Sequence, residues 1–187
     1  MKRETISDTA RKMRLEYQTT DPQKLCQCLD IYISPMPMGT GENCLKGLIT
    51  RNSRCCTITL NSDLPQRTRD IVCFHELGHY ALNHHRTHNV CAFQDCSVFN
   101  DASGLENEAN LFVAEYLLDT DETIHTLRET GDFYHTAAVL HVPKEILSYK
   151  MRILKYYGLL KKECPIYVPS NCMGSIDCSG PENDDFA

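Results

Sequence analysis

The sequence predicts an α+β fold, with a small mixed or antiparallel sheet packed on a helical layer. Three observations predict it. Apolar residues recur at three- and four-residue spacing along much of the chain, short β-rich runs cluster between residues 31 and 60, and Gly and Pro punctuate the joins. The helical layer contains a helix bearing the run His75-Glu76-Leu77-Gly78-His79 and a second one that carries further candidate ligands from Glu106.

The 187 residues suffice for one domain, expected over 1–160, with a cysteine-containing acidic tail at 161–187. At 42% hydrophobic and 24% charged, the composition is that of an ordinary globular protein, and the net charge of −6 gives no global case for nucleic-acid binding. Met1 opens onto Lys2, Arg3 and Glu4 with no apolar segment behind them, and no apolar run is long enough to span a bilayer. A cytoplasmic location is therefore expected. Eleven cysteines are many, but the number is odd, they are scattered, and no repeated C-x-x-C spacing joins them. They read as reduced thiols serving as small buried hydrophobes, with Cys164, Cys172 and Cys178 exposed in the tail.

Residues 4–17 place Ile6, Ala10, Met13, Leu15 and Tyr17 among charges and predict a first amphipathic helix. Asp21 followed by Pro22 is an N-cap with proline at the first helical position, opening a short helix through Leu25 and Leu29. Ile31 to Ile33 form a short strand before Pro35, Pro37, Gly39 and Gly41 break the chain. Leu45 to Arg51 and Cys55 to Leu60 predict a hairpin, whose sheet would offer an edge to an extended peptide. Asn61, Ser62 and Asp63, with Pro65, are expected to cap the motif helix. Residues 84–103 read as a loop in which His84, His85 and His88 have no assigned role. Ser103 is expected to cap a helix from Leu105 to Leu118, and Thr120 or Asp121 one that ends near Gly131. Thr136 to Leu140 and Lys144 to Tyr157, joined at His141-Val142-Pro143, resemble a helix-turn-helix. This stretch is locally basic through Lys144, Lys150, Arg152, Lys155, Lys161 and Lys162. Packing of Ile146, Leu147, Met151, Ile153 and Leu154 beneath a solvated basic face is the simpler reading. Residues 164–187 lose periodicity, apart from a short strand expected at 166–168.

Residues four apart share a helix face, so His75 and His79 can offer two imidazoles to one metal ion. Glu76 is turned by about 100° from His75, which suits a base acting on a water better than a ligand. A hydrolytic zinc site needs a third protein ligand and an open position. Glu106 supplies a carboxylate, and Asn110, one turn on, can hydrogen-bond a ligand histidine's outer nitrogen. Glu108 is the rival ligand, on another face of the helix.

His75-Glu76-Leu77-Gly78-His79 with Leu82 and His84 behind it, followed by Glu106-Asn107-Glu108-Ala109-Asn110-Leu111-Phe112-Val113-Ala114, resembles the ImmA/IrrE family of zinc metallopeptidases. The resemblance covers about residues 5–157. It implies one zinc ion held by His75, His79 and Glu106, with Glu76 as catalytic base. It further implies a protein substrate, a helix-turn-helix repressor encoded nearby on a phage or mobile element. One departure is Leu117-Leu118-Asp119-Thr120, where the family usually has Leu-Leu-Met-Pro. Tyr80, His84 and Tyr134 are candidate oxyanion donors. Two other function classes stand beside the peptidase: an antirepressor acting by binding alone, and a DNA-binding regulator using residues 136–157.

Overall fold

Residues 31–61 do form a sheet in the computed structural model, which describes residues 2–41, 44–52, 55–84, 91–92, 100–161 and 164–166. Strands β1 (Ile31–Met36), β2 (Gly47–Arg51), β3 (Cys56–Asn61) and β4 (Cys91–Ala92) lie in the order β1-β3-β2-β4. β2 and β3 make the expected hairpin, with Gly47 opposite Leu60 and Arg51 opposite Cys56. Asn52 closes it: its side chain accepts from the Cys55 N–H at 2.9 Å and its own N–H donates to the Cys55 carbonyl at 3.0 Å. β1 runs parallel to β3, so the sheet is mixed. β1 and β4 are its edges, and Pro35, which lacks an N–H, falls in edge strand β1. Residues 167 and 168 of the expected strand at 166–168, His85, His88, Cys96 and nearly all of the tail lie outside the described residues.

The described residues group into two compact units, one of residues 21–92 and the other of residues up to 20 and from 100 onward. In the first, helices α2 (Pro22–Cys28) and α3 (Gln66–Ala81) accompany the sheet. Asp21 caps α2 as expected, accepting from the N–H groups of Gln23 and Lys24 at 2.9 and 3.3 Å. Ile49, Ile58 and Leu60 alternate with half-buried residues, and α3 packs on β2 and β3.

The start of α3 corrects the sequence reading. Neither Asn61, Ser62 nor Asp63 caps it; the residue ahead of the helix is Pro65, which makes no side-chain bond. The polar side chains are used to fasten the connection from β1 instead. Asn61 donates to the carbonyls of Gly39 and Leu45 at 2.7 and 3.0 Å and accepts from the N–H of Met38, while Asp63 accepts from the N–H of Gly39 at 2.7 Å. Arg69, one turn into the helix, donates back to the carbonyls of Ser62 and Leu64 and ties down its approach. Long-range demand for these donors and acceptors outweighs the local capping preference.

The second unit is helical: α1 (Arg3–Tyr17), α4 (Asn100–Leu117), α5 (Thr120–Thr130), α6 (Phe133–Val139) and α7 (Lys144–Tyr156). α4 begins at Asn100, so Ser103, expected as its cap, lies within it. The cost of Gly104 in a helix, about 1 kcal/mol, is small enough for packing to override. The cap of α5 is Asp119 rather than Thr120 or Asp121, accepting from the N–H groups of Asp121 and Glu122 at 2.9 and 3.1 Å. Asp119 thus gives the Leu117-Leu118-Asp119-Thr120 departure a structural task. Gly131 ends α5 with φ 63°, as expected.

α4 packs between α1 and α7, burying Ile6, Ala10, Phe112, Tyr116, Ile146 and Leu147. The same burial corrects the reading of Lys150 as part of a solvated basic face. Lys150 is 1% exposed, and its Nζ donates to Glu115 Oε2 at 3.0 Å and Thr120 Oγ1 at 3.1 Å. Arg11 Nε donates to the other Glu115 oxygen. Burial pushes the Lys150 ammonium below its ordinary range, and the Glu115 carboxylate opposes that shift.

Glu115→Ala would strand Lys150 in the core and is expected to lower stability by about 3–5 kcal/mol in urea unfolding, with Glu115→Leu/Lys150→Met recovering most of the loss. Asp119→Ala should cost about 1 kcal/mol at neutral pH. Backbone bonds from Glu122 and Asp121 hold the Asp119 carboxyl below its ordinary value of 3.8. Its charge contribution is therefore complete above that value and fades as pH falls through the lower folded one. Thermal unfolding of wild type and Asp119→Asn between pH 7 and 2 should accordingly converge at the acid end.

Candidate metal centre

Helix α3 presents His75, Glu76 and His79 on the spacing that the sequence dictates, and packing buries all three, at 0, 0 and 1% exposure. Val72, Phe74 and Leu77 supply apolar neighbours along the same helix. The two imidazoles converge: His75 Nε2 and His79 Nε2 lie 3.0 Å apart, with ring centroids 4.8 Å apart. Tetrahedral zinc, at about 2.0–2.1 Å from each nitrogen, needs them about 3.3 Å apart, so this pair fits the ion after a movement of about 0.3 Å. The outer nitrogen of His79 is engaged as well, since its Nδ1 lies 2.9 Å from Nδ1 of His84, itself 3% exposed.

Gly47 explains how strand β2 can lie against this helix. A Cβ on it would stand 2.5 Å from Val72 Cγ1, 3.3 Å from Glu76 Oε1 and 3.4 Å from Glu76 Cγ. No L side chain fits there without displacing one of them. Sequence reasoning passed over Gly47 and left His84 unassigned beyond its place among oxyanion candidates. The available signals were a glycine opening a strand and Asn83, a residue suited to reverse the chain, just before His84.

The thiol nearest the motif is Cys73, whose Sγ lies 3.8 Å from that of Cys26, both buried. Their mutual hydrogen bond and burial push the Cys73 thiol above its ordinary range. The cysteines whose side chains are described are all free thiols; Cys26, Cys56 and Cys73 are buried as expected, but Cys28 and Cys55 are exposed, and Cys164, expected to be exposed, is half-buried with Sγ 3.3 Å from Ser148 Oγ.

Glu106 is half-buried on α4, near Asn110, which is fully buried. Two residues of α7 steady this helix. Asn110 Nδ2 donates to Tyr149 Oη at 3.4 Å, Arg152 Nη2 donates to Asn107 Oδ1 at 3.3 Å, and the Arg152 guanidinium lies over the Tyr149 ring at 4.8 Å. His75 and His79 of the one unit and Glu106 of the other are, by residue type, a candidate metal-binding triad among the described residues, and Glu108 is not a member. Two imidazoles and a carboxylate are a donor set that suits a borderline cation such as zinc. Tyr80 lies near the end of α3, and Tyr134 is 55% exposed on α6, its ring edge-on to Phe133. No helix among the described residues is long and apolar enough to cross a membrane.

A peptidase family model described as IrrE N-terminal-like domain matches residues 26–152, a span that includes every member of the triad. The chain is also similar to "Uncharacterized immunity region protein 2" of Bacillus phage phi105. The two are 29% identical over 146 residues, which cover 78% of this chain and 88% of the phage protein.

Gly47→Ala is expected to lower stability by about 1–3 kcal/mol in urea unfolding, the usual effect of forcing an extra methyl into a packed contact.

Proposed function

The chain belongs to the peptidase family of the IrrE N-terminal-like domain, and we propose that it is a zinc-dependent metalloendopeptidase that hydrolyses a peptide bond in a protein partner. The observation that carries this reading is the convergence of His75 and His79 at 3.0 Å beside the buried carboxylate of Glu76. A structural zinc site needs four closed ligands and has no use for an adjacent base, whereas hydrolysis needs three ligands, an open position and a base.

In this reading His75, His79 and Glu106 would hold the ion, and Asn110 would steady the outer nitrogen of a ligand histidine. Bound zinc supplies a Lewis acid that polarises the scissile carbonyl and acidifies a water molecule. Glu76 accepts the proton of that water as it attacks, then delivers the proton to the departing amine. The substrate segment is extended and adds along a sheet edge, where main-chain hydrogen bonds give affinity independent of sequence. Tyr80 and Tyr134 are the candidates for an additional donor to the developing oxyanion.

The partner we propose is a helix-turn-helix repressor of a phage or mobile element, the choice being motivated by the phage relative's name as an immunity region protein. Packing of α7 supports the peptidase over the DNA-binding reading, because Lys150 is spent inside the core and Arg152 is held against Tyr149 and Asn107.

Glu76→Gln should keep wild-type zinc content and lose hydrolysis of the partner by at least about 100-fold, the scale of a lost general base. Incubation of wild-type protein with the repressor should yield shorter fragments that a chelator abolishes; an intact repressor that nonetheless loses its operator would favour the non-proteolytic antirepressor. Glu106→Ala should weaken zinc binding in a competition titration while leaving the helical far-UV signal in place.

A further inference from the structure

We propose that His84 is a positioning residue of the metal centre, holding His79 in the tautomer whose Nε2 lone pair is directed toward His75. The inference rests on the metal-binding reading above and adds a residue to it.

The chain path explains how His84 gets there. α3 ends at Ala81; the N–H of Leu82 donates to the Gly78 carbonyl and that of Asn83 to the Tyr80 carbonyl, each at 3.0 Å. Asn83 then takes φ 61°, in the left-handed region that asparagine visits at lower cost than most residues. That one residue reverses the chain and returns His84 to the buried side of the helix it has just left. The two rings meet at 70° with centroids 5.0 Å apart, and Nδ1 faces Nδ1 at 2.9 Å.

A neutral imidazole carries one N–H and one lone pair on its two nitrogens. His79 Nε2 is the nitrogen that converges on His75 Nε2 at 3.0 Å, so it must present its lone pair to bind an ion, and the proton must then reside on Nδ1. His84 Nδ1, at 2.9 Å, is the acceptor for that proton. In the opposite tautomer His79 would aim an N–H at His75 and close the space between the two nitrogens. His84 meets the outer nitrogen of His79 and is therefore not a third ligand. Ligand histidines usually find this support in a carboxylate or a carbonyl; here a third imidazole, delivered by a helix-ending asparagine, takes that place.

The test uses the full chain stripped of metal, titrated with zinc against a competing chromophoric chelator, with the ring nitrogens of His79 in the apo protein followed by 15N NMR. Wild type should bind one equivalent of zinc and show the His79 proton on Nδ1. His84→Leu should weaken zinc binding about 10–100-fold and mix the two tautomers, with the apo melting temperature little changed. His84→Asn places Oδ1 where the ring nitrogen was and should recover most of the affinity. Asn83→Gly, which accepts the same φ, should match wild type. Equal affinity of His84→Leu and wild type, or His84→Asn as weak as His84→Leu, would overturn the role of His84 and leave the metal reading standing. Failure of wild type to bind zinc would overturn both. Should His84→Leu not fold, the apo wild type decides, because a His79 proton found on Nε2 refutes the proposal.

Discussion

Strand β2 can lie against helix α3 at the level of Glu76 only because residue 47 has no side chain. Much follows from that contact. With the strand pressed against it, the face of α3 that carries Val72 and Glu76 is sealed, and Glu76 is removed from water despite being polar; His75 and His79 on the same helix are equally buried. In that low-dielectric setting interactions among charges and dipoles are several times stronger than in water. Burial also fixes rotamers, so that two imidazoles which on an exposed helix would sweep many positions are held with their Nε2 atoms on one point.

The helical unit buries polar groups for a different purpose. Asn107 and Asn110 are gripped from α7 by Arg152 and Tyr149, and Glu115 is held between Arg11 and Lys150. These contacts are between elements far apart in sequence, joining α1, α4, α5 and α7. They fix the rotation of α4 about its own axis, and with it the direction in which Glu106 leaves the helix. An apolar interface alone tolerates sliding and rotation more readily than one pinned by directional bonds.

What was legible in the sequence was what is decided locally. His75, Glu76 and His79 read directly because their relation depends only on helix geometry, and Asp21, Asn52 and Gly131 act in turns of a few residues. What was not legible depends on distant partners. The parallel pairing of β1 with β3 joins segments separated by a whole strand, and Asn61 abandons a local capping role for carbonyls more than fifteen residues away. Lys150 looked solvated because its partner lies 35 positions earlier. A hint was present in Glu115, a carboxylate inside the otherwise apolar run Leu111 to Leu118. The task of His84 was hidden for another reason: it depends on the sign of one backbone angle, at Asn83, which residue type favours but does not determine.

The Arg11–Glu115–Lys150 cluster also constrains how the sequence can drift. Loss of Glu115 leaves Lys150 buried without a counter-charge, and loss of Lys150 leaves Glu115 to Arg11 alone, whereas replacement of both buried charges by apolar groups is close to neutral. Positions 115 and 150 therefore occupy two acceptable states, ionic and apolar, separated by single substitutions that the fold tolerates poorly. Position 11, whose arginine is 47% exposed, can change on its own. Among relatives, the two buried positions are accordingly expected to switch together, as a correlated pair imposed by the dielectric of the core rather than by chemistry at the metal.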